Sequence, residues 1–125
     1  MSEPDRTFAE LMAVLADRKR QPSNRSYTKT LLDAGLDKIA AKLREETDEV
    51  IAAAGEPVVT QYGHVVHEAA DVLYHLFVLL TFCEVDLADV AAELARRSGR
   101  SGLDEKASRT AGRERPPGQQ PAEPS

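Results

Sequence analysis

The protein has 125 residues, of which 42% are hydrophobic, and its 16 Lys and Arg residues against 21 Asp and Glu residues leave a net charge of −5. This length predicts a single small domain, and the negative charge argues against a generic nucleic-acid-binding protein, whose surface is basic. Because a single cysteine, Cys83, cannot form an internal disulfide and no apolar segment near the N-terminus resembles a signal peptide, we expect a cytoplasmic protein rather than a disulfide-stabilised secreted one.

Apolar residues recur at helical spacing in five segments, and no segment shows the alternation that is typical of a strand. The expected helices run from Phe8 to about Lys19, from Tyr27 to Ala34, from Asp37 to Ala54, from Tyr62 to Glu84 and from Leu87 to Ser98. The sequence therefore predicts an all-α fold.

Capping residues mark the ends of the first two helices. Thr7 and Glu10 match a capping box that would start the first helix. Ser26 is suited to be the N-cap of the second helix, and Gly35 is suited to end it. Two β-branched residues at positions 58 and 59 are too few to form a strand.

The C-terminal residues differ in composition from the rest of the chain. Pro, Gly, Gln and Glu dominate residues 110–125, which is typical of a disordered tail. We therefore expect one all-α domain over residues 1–109, followed by a disordered tail over residues 110–125.

The fourth predicted helix lies in a block, residues 64–95, that contains no Lys or Arg but six acidic residues. Its apolar length approaches that of a membrane span. Glu68, Asp71 and His75 interrupt it, however, and each charge is costly at the centre of a bilayer. We therefore predict that this helix is buried in a helical bundle and that the protein has no membrane partner.

Five polar side chains of the fourth helix share one face. At about 100° per residue they fall within a stripe of about 100°, formed by His64, His67, Glu68, Asp71 and His75. Almost all other positions are apolar, so the helix needs cover on several sides. A chain of this length offers few helices to provide it, which favours an obligate homodimer whose helical bundle is completed by dimerisation.

The third predicted helix has a matching polar face. Lys38, Lys42, Glu45, Glu46 and Glu49 lie together on it, and Glu46 is at the edge of the apolar face. Residues three apart are neighbours on a helix surface, so Glu46 and Glu49 form a pair of carboxylates on one side of the helix.

The two pairs Glu46–Glu49 and Glu68–Asp71 would bring four carboxylates together if the third and fourth helices packed side by side. Like charges this close require a counter-charge, and Mg²⁺ prefers oxygen ligands, waters and substrate phosphates. The pattern therefore predicts a magnesium site. Two alternatives stay open: the Glu-rich helix surface is simply solvated, or the histidines bind zinc, although no HExxH spacing is present.

The carboxylates also form a longer motif. The order Glu45-Glu46-x-x-Glu49, 18 further residues and Glu68-x-x-Asp71 resembles the EExxE…ExxD signature of the all-α nucleoside triphosphate pyrophosphohydrolases, the MazG-like superfamily. Within it the sequence is most similar to the phosphoribosyl-ATP pyrophosphatases, the family of the second enzyme of histidine biosynthesis. Four segments carry this similarity: SYTKTLLDAG at 26–35, KIAAKLREE at 38–46, EAADVLYH at 68–75 and SGLDEKASR at 101–109.

This resemblance implies a reaction and a metal site. The reaction is the hydrolysis of phosphoribosyl-ATP to phosphoribosyl-AMP and pyrophosphate, carried out by a dimer whose helices form a shared bundle. The implied Mg²⁺ ligands are Glu46, Glu49, Glu68 and Asp71, the first two of which are also catalytic. Glu45 is implied to be a further catalytic residue, as an additional ligand or as the group that orients the attacking water.

Basic residues are the candidates for substrate binding. Lys38 and Lys42 lie one and two turns before the carboxylates, where they can neutralise phosphate oxygens or the leaving pyrophosphate. Lys106 and Arg109, with Arg97 upstream, would let the C-terminal segment fold over the substrate. The alternatives are salt bridges on a helix surface for the first two residues and a solvated tail for the others.

Two other functions agree with parts of the sequence. A MazG-like house-cleaning enzyme that hydrolyses canonical or damaged nucleoside triphosphates would have the same carboxylates, although the SYT and SGLxEKASR segments favour phosphoribosyl-ATP. A non-catalytic helical dimer that binds a nucleotide or a protein partner would share the fold without the reaction.

Overall fold

A computed structural model describes residues 2–21 and 26–98. This part of the chain contains five helices and no strand: α1 (Glu3–Arg20), α2 (Tyr27–Ala34), α3 (Leu36–Ala54), α4 (Val58–Cys83) and α5 (Leu87–Arg97). The predicted all-α fold is confirmed. The expected domain end at residue 109 and the expected disordered tail lie outside the described residues and stay predictions.

The start of α1 differs from the sequence prediction. The helix begins at Glu3 rather than Phe8, and the N-cap is Ser2, whose side chain accepts a hydrogen bond from the backbone N–H of Asp5 at 3.2 Å. Pro4 is compatible with a helix that begins at Glu3, because backbone N–H groups in the first turn make no intrahelical hydrogen bond. The predicted capping box at Thr7 is therefore wrong.

The predicted ends of α2 are confirmed. The Ser26 side chain accepts a hydrogen bond from the backbone N–H of Lys29 at 3.1 Å, and Gly35 follows the helix at a φ of 99°. A positive φ of this size suits glycine because it has no Cβ. Since Gly35 is also the N-cap of α3, a single residue turns the chain from one helix to the next.

The connection between α3 and α4 is only three residues long, residues 55–57. Pro57 is the N-cap of α4, and its carbonyl accepts hydrogen bonds from the backbone N–H groups of Thr60 and Gln61 at 3.0 and 2.9 Å. The fourth helix therefore begins at Val58, four residues before the predicted start. The helical hairpin that results is the most extensive helix pair in the described chain.

Residues up to Val85 form one compact unit, whose core draws on all four helices. Its buried apolar side chains are Leu15, Leu31, Leu32, Ile39, Ala53, Phe77 and Val78. Phe8 meets Phe77 edge to face, with ring centroids 5.7 Å apart. The core thus joins α1 and α2 to the α3–α4 hairpin.

Two lysines cap the ends of helices in this unit. The Lys29 ammonium donates to the carbonyl of Lys19 at 3.3 Å, in the last turn of α1. The Lys19 ammonium donates to the carbonyl of Thr81 and to the carboxylate of Glu84, both at 3.1 Å. Because the C-terminal carbonyls of a helix lack internal partners and carry partial negative charge, these contacts tie α1 to α2 and α4 to α1.

The second unit begins at Asp86, and α5 is its described element. Glu93 accepts hydrogen bonds from the guanidinium groups of Arg96 and Arg97, at 2.9 and 3.0 Å. These contacts depress the pKa of Glu93 to about 2, with Arg96 the largest cause.

Helix α4 is long and apolar enough to cross a bilayer by length and composition, and no other helix among the described residues is. Its buried side chains all lie in its C-terminal half, at His75 and beyond. Its N-terminal half leaves Val59 85% and Tyr62 80% exposed. The cover that we expected on several sides of this helix is therefore not supplied by the described part of the chain.

Candidate functional site

The α3–α4 hairpin brings carboxylates from both helices together. One carboxylate oxygen from each of Glu46, Glu49 and Glu68 lies within 4.8 Å of the other two. On α4, Glu68, Asp71 and His67 also offer ligand atoms within 4.8 Å of one another. Because Glu68 belongs to both groups, the four predicted ligands form one continuous cluster, which we call the carboxylate cluster (Glu46, Glu49, Glu68 and Asp71).

The carboxylate cluster is electrostatically unfavourable as it stands. Burial raises the pKa of Glu46, and the negative charges of Glu49 and Asp71 raise it further. Burial also raises the pKa of Glu68, with Glu49 as the next cause. Both shifts have the sign expected for carboxylates that are desolvated among like charges.

Two carboxylate oxygens of the cluster have no hydrogen-bond partner. They are Oε1 of Glu46 and Oε1 of Glu68, and each is shielded from solvent. A buried carboxylate oxygen without a hydrogen-bond partner lowers the stability of the fold. A positively charged partner at both atoms would remove this cost. A hard divalent cation with oxygen ligands fits this donor set.

A lysine stands at the edge of the cluster. The Lys42 ammonium lies 3.1 Å from Oε1 of Glu45 and 4.0 Å from Oε2 of Glu46. The hydrogen bond to Glu45 raises the pKa of Lys42, so this group is a cation at neutral pH. Glu45 points to the lysine and is absent from both ligand groups. The exposed Lys38 makes no ion pair within the described part of the chain.

Each histidine on the polar face of α4 has its own partner. His64 pairs with Glu56, and Nε2 of His67 lies 3.5 Å from Oδ2 of Asp71. The buried His75 donates from Nδ1 to the backbone carbonyl of Asp71 at 2.8 Å. The three rings therefore do not meet in a shared histidine site, and among them only His67 belongs to a group of possible metal ligands among the described residues.

A tyrosine of α2, Tyr27, is hydrogen-bonded to His75. Because Nδ1 of His75 carries the proton that it donates to a carbonyl, Nε2 is free to accept, and the Tyr27 hydroxyl donates to it at 3.0 Å. This arrangement links α2 to α4 beside Asp71.

A protein-family comparison agrees with this geometry. The family model described as phosphoribosyl-ATP pyrophosphohydrolase matches residues 8–98, which include all four helices of the first unit from Phe8 onward. The chain belongs to the phosphoribosyl-ATP pyrophosphohydrolase family. The prediction of an all-α hydrolase of this family is thereby confirmed.

Individual members of the phosphoribosyl-ATP pyrophosphohydrolase family are similar to this chain over most of their length. The phosphoribosyl-ATP pyrophosphatase of Rhodopirellula baltica is 46% identical over 101 residues, which cover 81% of this chain and 84% of the relative. That of Azorhizobium caulinodans is 48% identical over 109 residues, which cover 87% of this chain and 97% of the relative. That of Rhizobium johnstonii is 44% identical over 103 residues, covering 82% and 94%.

The sequence-predicted site residues are only partly assembled in the described chain. The carboxylate cluster and Lys42 come together and Glu45 pairs with Lys42, whereas Lys38 makes no ion pair among the described residues. Lys106 and Arg109 lie outside the described residues. Tyr27 belongs to the SYTKTLLDAG segment but was given no role from sequence, because nothing in its spacing reveals that its hydroxyl reaches a histidine on α4.

Proposed function

We propose that this protein hydrolyses 1-(5-phosphoribosyl)-ATP to 1-(5-phosphoribosyl)-AMP and pyrophosphate with Mg²⁺, the second step of histidine biosynthesis. The names of the relatives support this substrate. The observation that carries the proposal is the pair of buried, unpartnered oxygens on Glu46 and Glu68. A site with these atoms favours a cation and, through it, an anionic substrate.

The carboxylate cluster supplies the ligands for Mg²⁺ in this proposal. Glu46 and Glu68, whose Oε1 atoms have no hydrogen-bond partner, would bind it together with Glu49 and Asp71. When bound, the cation supplies the positive charge that lets carboxylates and triphosphate oxygens share one site.

The chain's own side chains position and neutralise the reactants. Lys42 is held beside the cluster by Glu45 and Glu46, where its charge stabilises phosphate oxygens or the departing pyrophosphate. Glu45 orients the attacking water, and Lys38, Lys106 and Arg109 bind phosphate groups. The oxygen of a water molecule bonds to one phosphorus of the anhydride as the bond to the bridging oxygen breaks. The protons of that water pass to the product phosphates or to the solvent.

Dimerisation is part of the proposal. Helix α4 exposes the large apolar side chains of Val58, Val59, Tyr62, Val66 and Leu73. Positions 59, 62, 66 and 73 lie on one face because they follow spacings of three, four and seven residues. An obligate homodimer in the cytoplasm would cover this face. A concentration-independent monomer mass in sedimentation would refute the dimer.

A pyrophosphate-release assay tests the reaction. Phosphoribosyl-ATP is compared with ATP and deoxynucleoside triphosphates, with Mg²⁺ and with EDTA. We expect release from phosphoribosyl-ATP, only with Mg²⁺, and loss of that release in Glu49→Gln and Asp71→Asn. Asp48→Asn, which changes an exposed carboxylate next to Glu49, is the matched control and should stay active.

The same assay separates two other functions. A preference for ATP or a deoxynucleotide would indicate the house-cleaning activity, because the carboxylate cluster does not by itself select a base or a second ribose. Absence of release from every nucleotide would indicate a non-catalytic helical binding protein. Either result refutes the proposed substrate, and neither changes the family to which the chain belongs.

A further inference from the structure

Three contacts with two residues, His75 and Tyr74, hold the Tyr27 ring in place. Its hydroxyl donates to Nε2 of His75 at 3.0 Å, and its ring meets the His75 ring edge to face at 5.9 Å. The Tyr74 ring lies nearly parallel to it, with centroids 6.3 Å apart and an angle of 20°. Neighbouring Thr28 is fully buried and hydrogen-bonds the Tyr74 hydroxyl, so the supporting ring is anchored as well.

Tyr27 nevertheless remains 50% exposed. A large aromatic side chain usually buries its apolar faces, yet here one side is supported by Tyr74 while half of the residue stays open. Because His75 and Tyr74 fix its orientation, the ring loses little conformational entropy when a ligand packs on the open side. An anchored ring of this kind is suited to stack against another aromatic ring.

The ring also lies close to the carboxylate cluster. The hydrogen-bond partner of Tyr27, His75, contacts the Asp71 carbonyl at 2.8 Å. Burial is the largest influence on the pKa of the Tyr27 hydroxyl and raises it, but Lys42 and Glu46 act on it too. Two successive hydrogen bonds, from Tyr27 to His75 and from His75 to the backbone of Asp71, thus connect Tyr27 to the carboxylate cluster.

We infer that Tyr27 is the surface on which the purine base of the nucleotide stacks, and that His75 is the positioning residue that holds this ring. The inference rests on the proposed function in one respect, that the phosphates bind at the carboxylate cluster. The base is the fitting occupant because the ring presents a π-face, whereas its hydroxyl proton is already committed to His75.

Two probes separate base binding from phosphate binding. They are α,β-methylene-ATP, which resists cleavage at the bond in question, and tripolyphosphate, which has the phosphates without the base. Dissociation constants are measured with Mg²⁺ by titration calorimetry for the wild type, Tyr27→Ala and Tyr27→Phe. Val14→Ala, which shortens an exposed apolar side chain on α1, is the matched control.

We expect Tyr27→Ala to weaken binding of α,β-methylene-ATP by about 5-fold to 150-fold, the range typical of the loss of one base–aromatic stack. Binding of tripolyphosphate should not change. Tyr27→Phe keeps the ring but lacks the hydroxyl that bonds to His75. Its affinity for α,β-methylene-ATP should therefore fall less than that of Tyr27→Ala. The control should bind both probes as the wild type does.

The inference is overturned if Tyr27→Ala leaves the affinity for α,β-methylene-ATP unchanged, or if it weakens both probes equally. It is also overturned if the wild type shows no preference for the nucleotide over tripolyphosphate. A wild type that prefers the nucleotide through Tyr27 but does not cleave phosphoribosyl-ATP would refute the proposed function and support the inference.

Discussion

Replacing Glu46 by Gln tests whether the carboxylate cluster is strained without a cation. Glu46 is 8% exposed, and the nearest oxygens of Glu49 and Glu68 lie within 4.8 Å of its own. At that distance and an effective dielectric constant of about 20, two unit charges repel by about 3.5 kcal/mol. Solvent and salt reduce this value, so we expect a gain of about 1–2 kcal/mol in the free energy of unfolding.

Thermal unfolding at a fixed protein concentration measures this gain. In EDTA the variant should melt about 3–8 °C above the wild type, which is the shift that 1–2 kcal/mol gives in a chain of this size. Adding Mg²⁺ should raise the melting temperature of the wild type, because a ligand that binds only the folded state stabilises it. Glu46→Gln should lose most of that increase.

Two results would refute the reasoning. One is a melting temperature of Glu46→Gln in EDTA that is equal to or below that of the wild type. The other is an equal response of both proteins to Mg²⁺. Asp48→Asn removes an exposed carboxylate from the same helix and should behave as the wild type does under both conditions, which excludes a general effect of net charge.

Three further outcomes follow from other contacts. Lys42→Met should lower kcat/KM for the proposed substrate by about 10-fold to 100-fold in the pyrophosphate assay, because phosphate charge loses a positioned cation; an unchanged value would contradict that role. Lys19→Met should lower the free energy of unfolding in urea by about 1–2 kcal/mol, since the Thr81 carbonyl loses one of its two donors and Glu84 loses its ion pair. The hydrogen bond from His64 lowers the pKa of Glu56, with Thr60 as the next cause. The folded pKa lies below the unfolded one, so this contribution is present above about pH 4.5 and lost as the pH falls through the folded pKa; Glu56→Gln should flatten that acid limb of a melting-temperature profile.

Much of the fold could be predicted because helical periodicity and helix caps depend on residues that are close together in sequence. Ser26 and Gly35 bound α2 as expected, since each acts on the backbone within four residues of itself. The start of α1 was predicted five residues too late because Thr7 and Glu10 match a capping box in sequence, whereas Ser2 caps the helix in the structure. The start of α4 was missed because Pro57 begins the helix without a side-chain cap.

The candidate site could be predicted in part for the same reason. The spacing of three residues places Glu46 beside Glu49 and Glu68 beside Asp71 on any helix. What it leaves open is whether the two pairs face each other and whether their oxygens find hydrogen-bond donors. Those properties depend on the packing of α3 against α4, whereas the contacts of Lys42 with Glu45 and Glu46 lie within one turn of α3 and follow from helix spacing.

The sequence by itself determined an acidic, all-α chain with paired carboxylates on two successive helices and the motif of a pyrophosphohydrolase family. Only the tertiary structure decided that Glu46 and Glu68 keep buried oxygens without partners and that Tyr27 reaches His75. The physical reason is range: periodicity, caps and helix spacing act within about one turn of the chain. Desolvation and hydrogen bonds between helices depend on residues that are distant in sequence and meet only after folding.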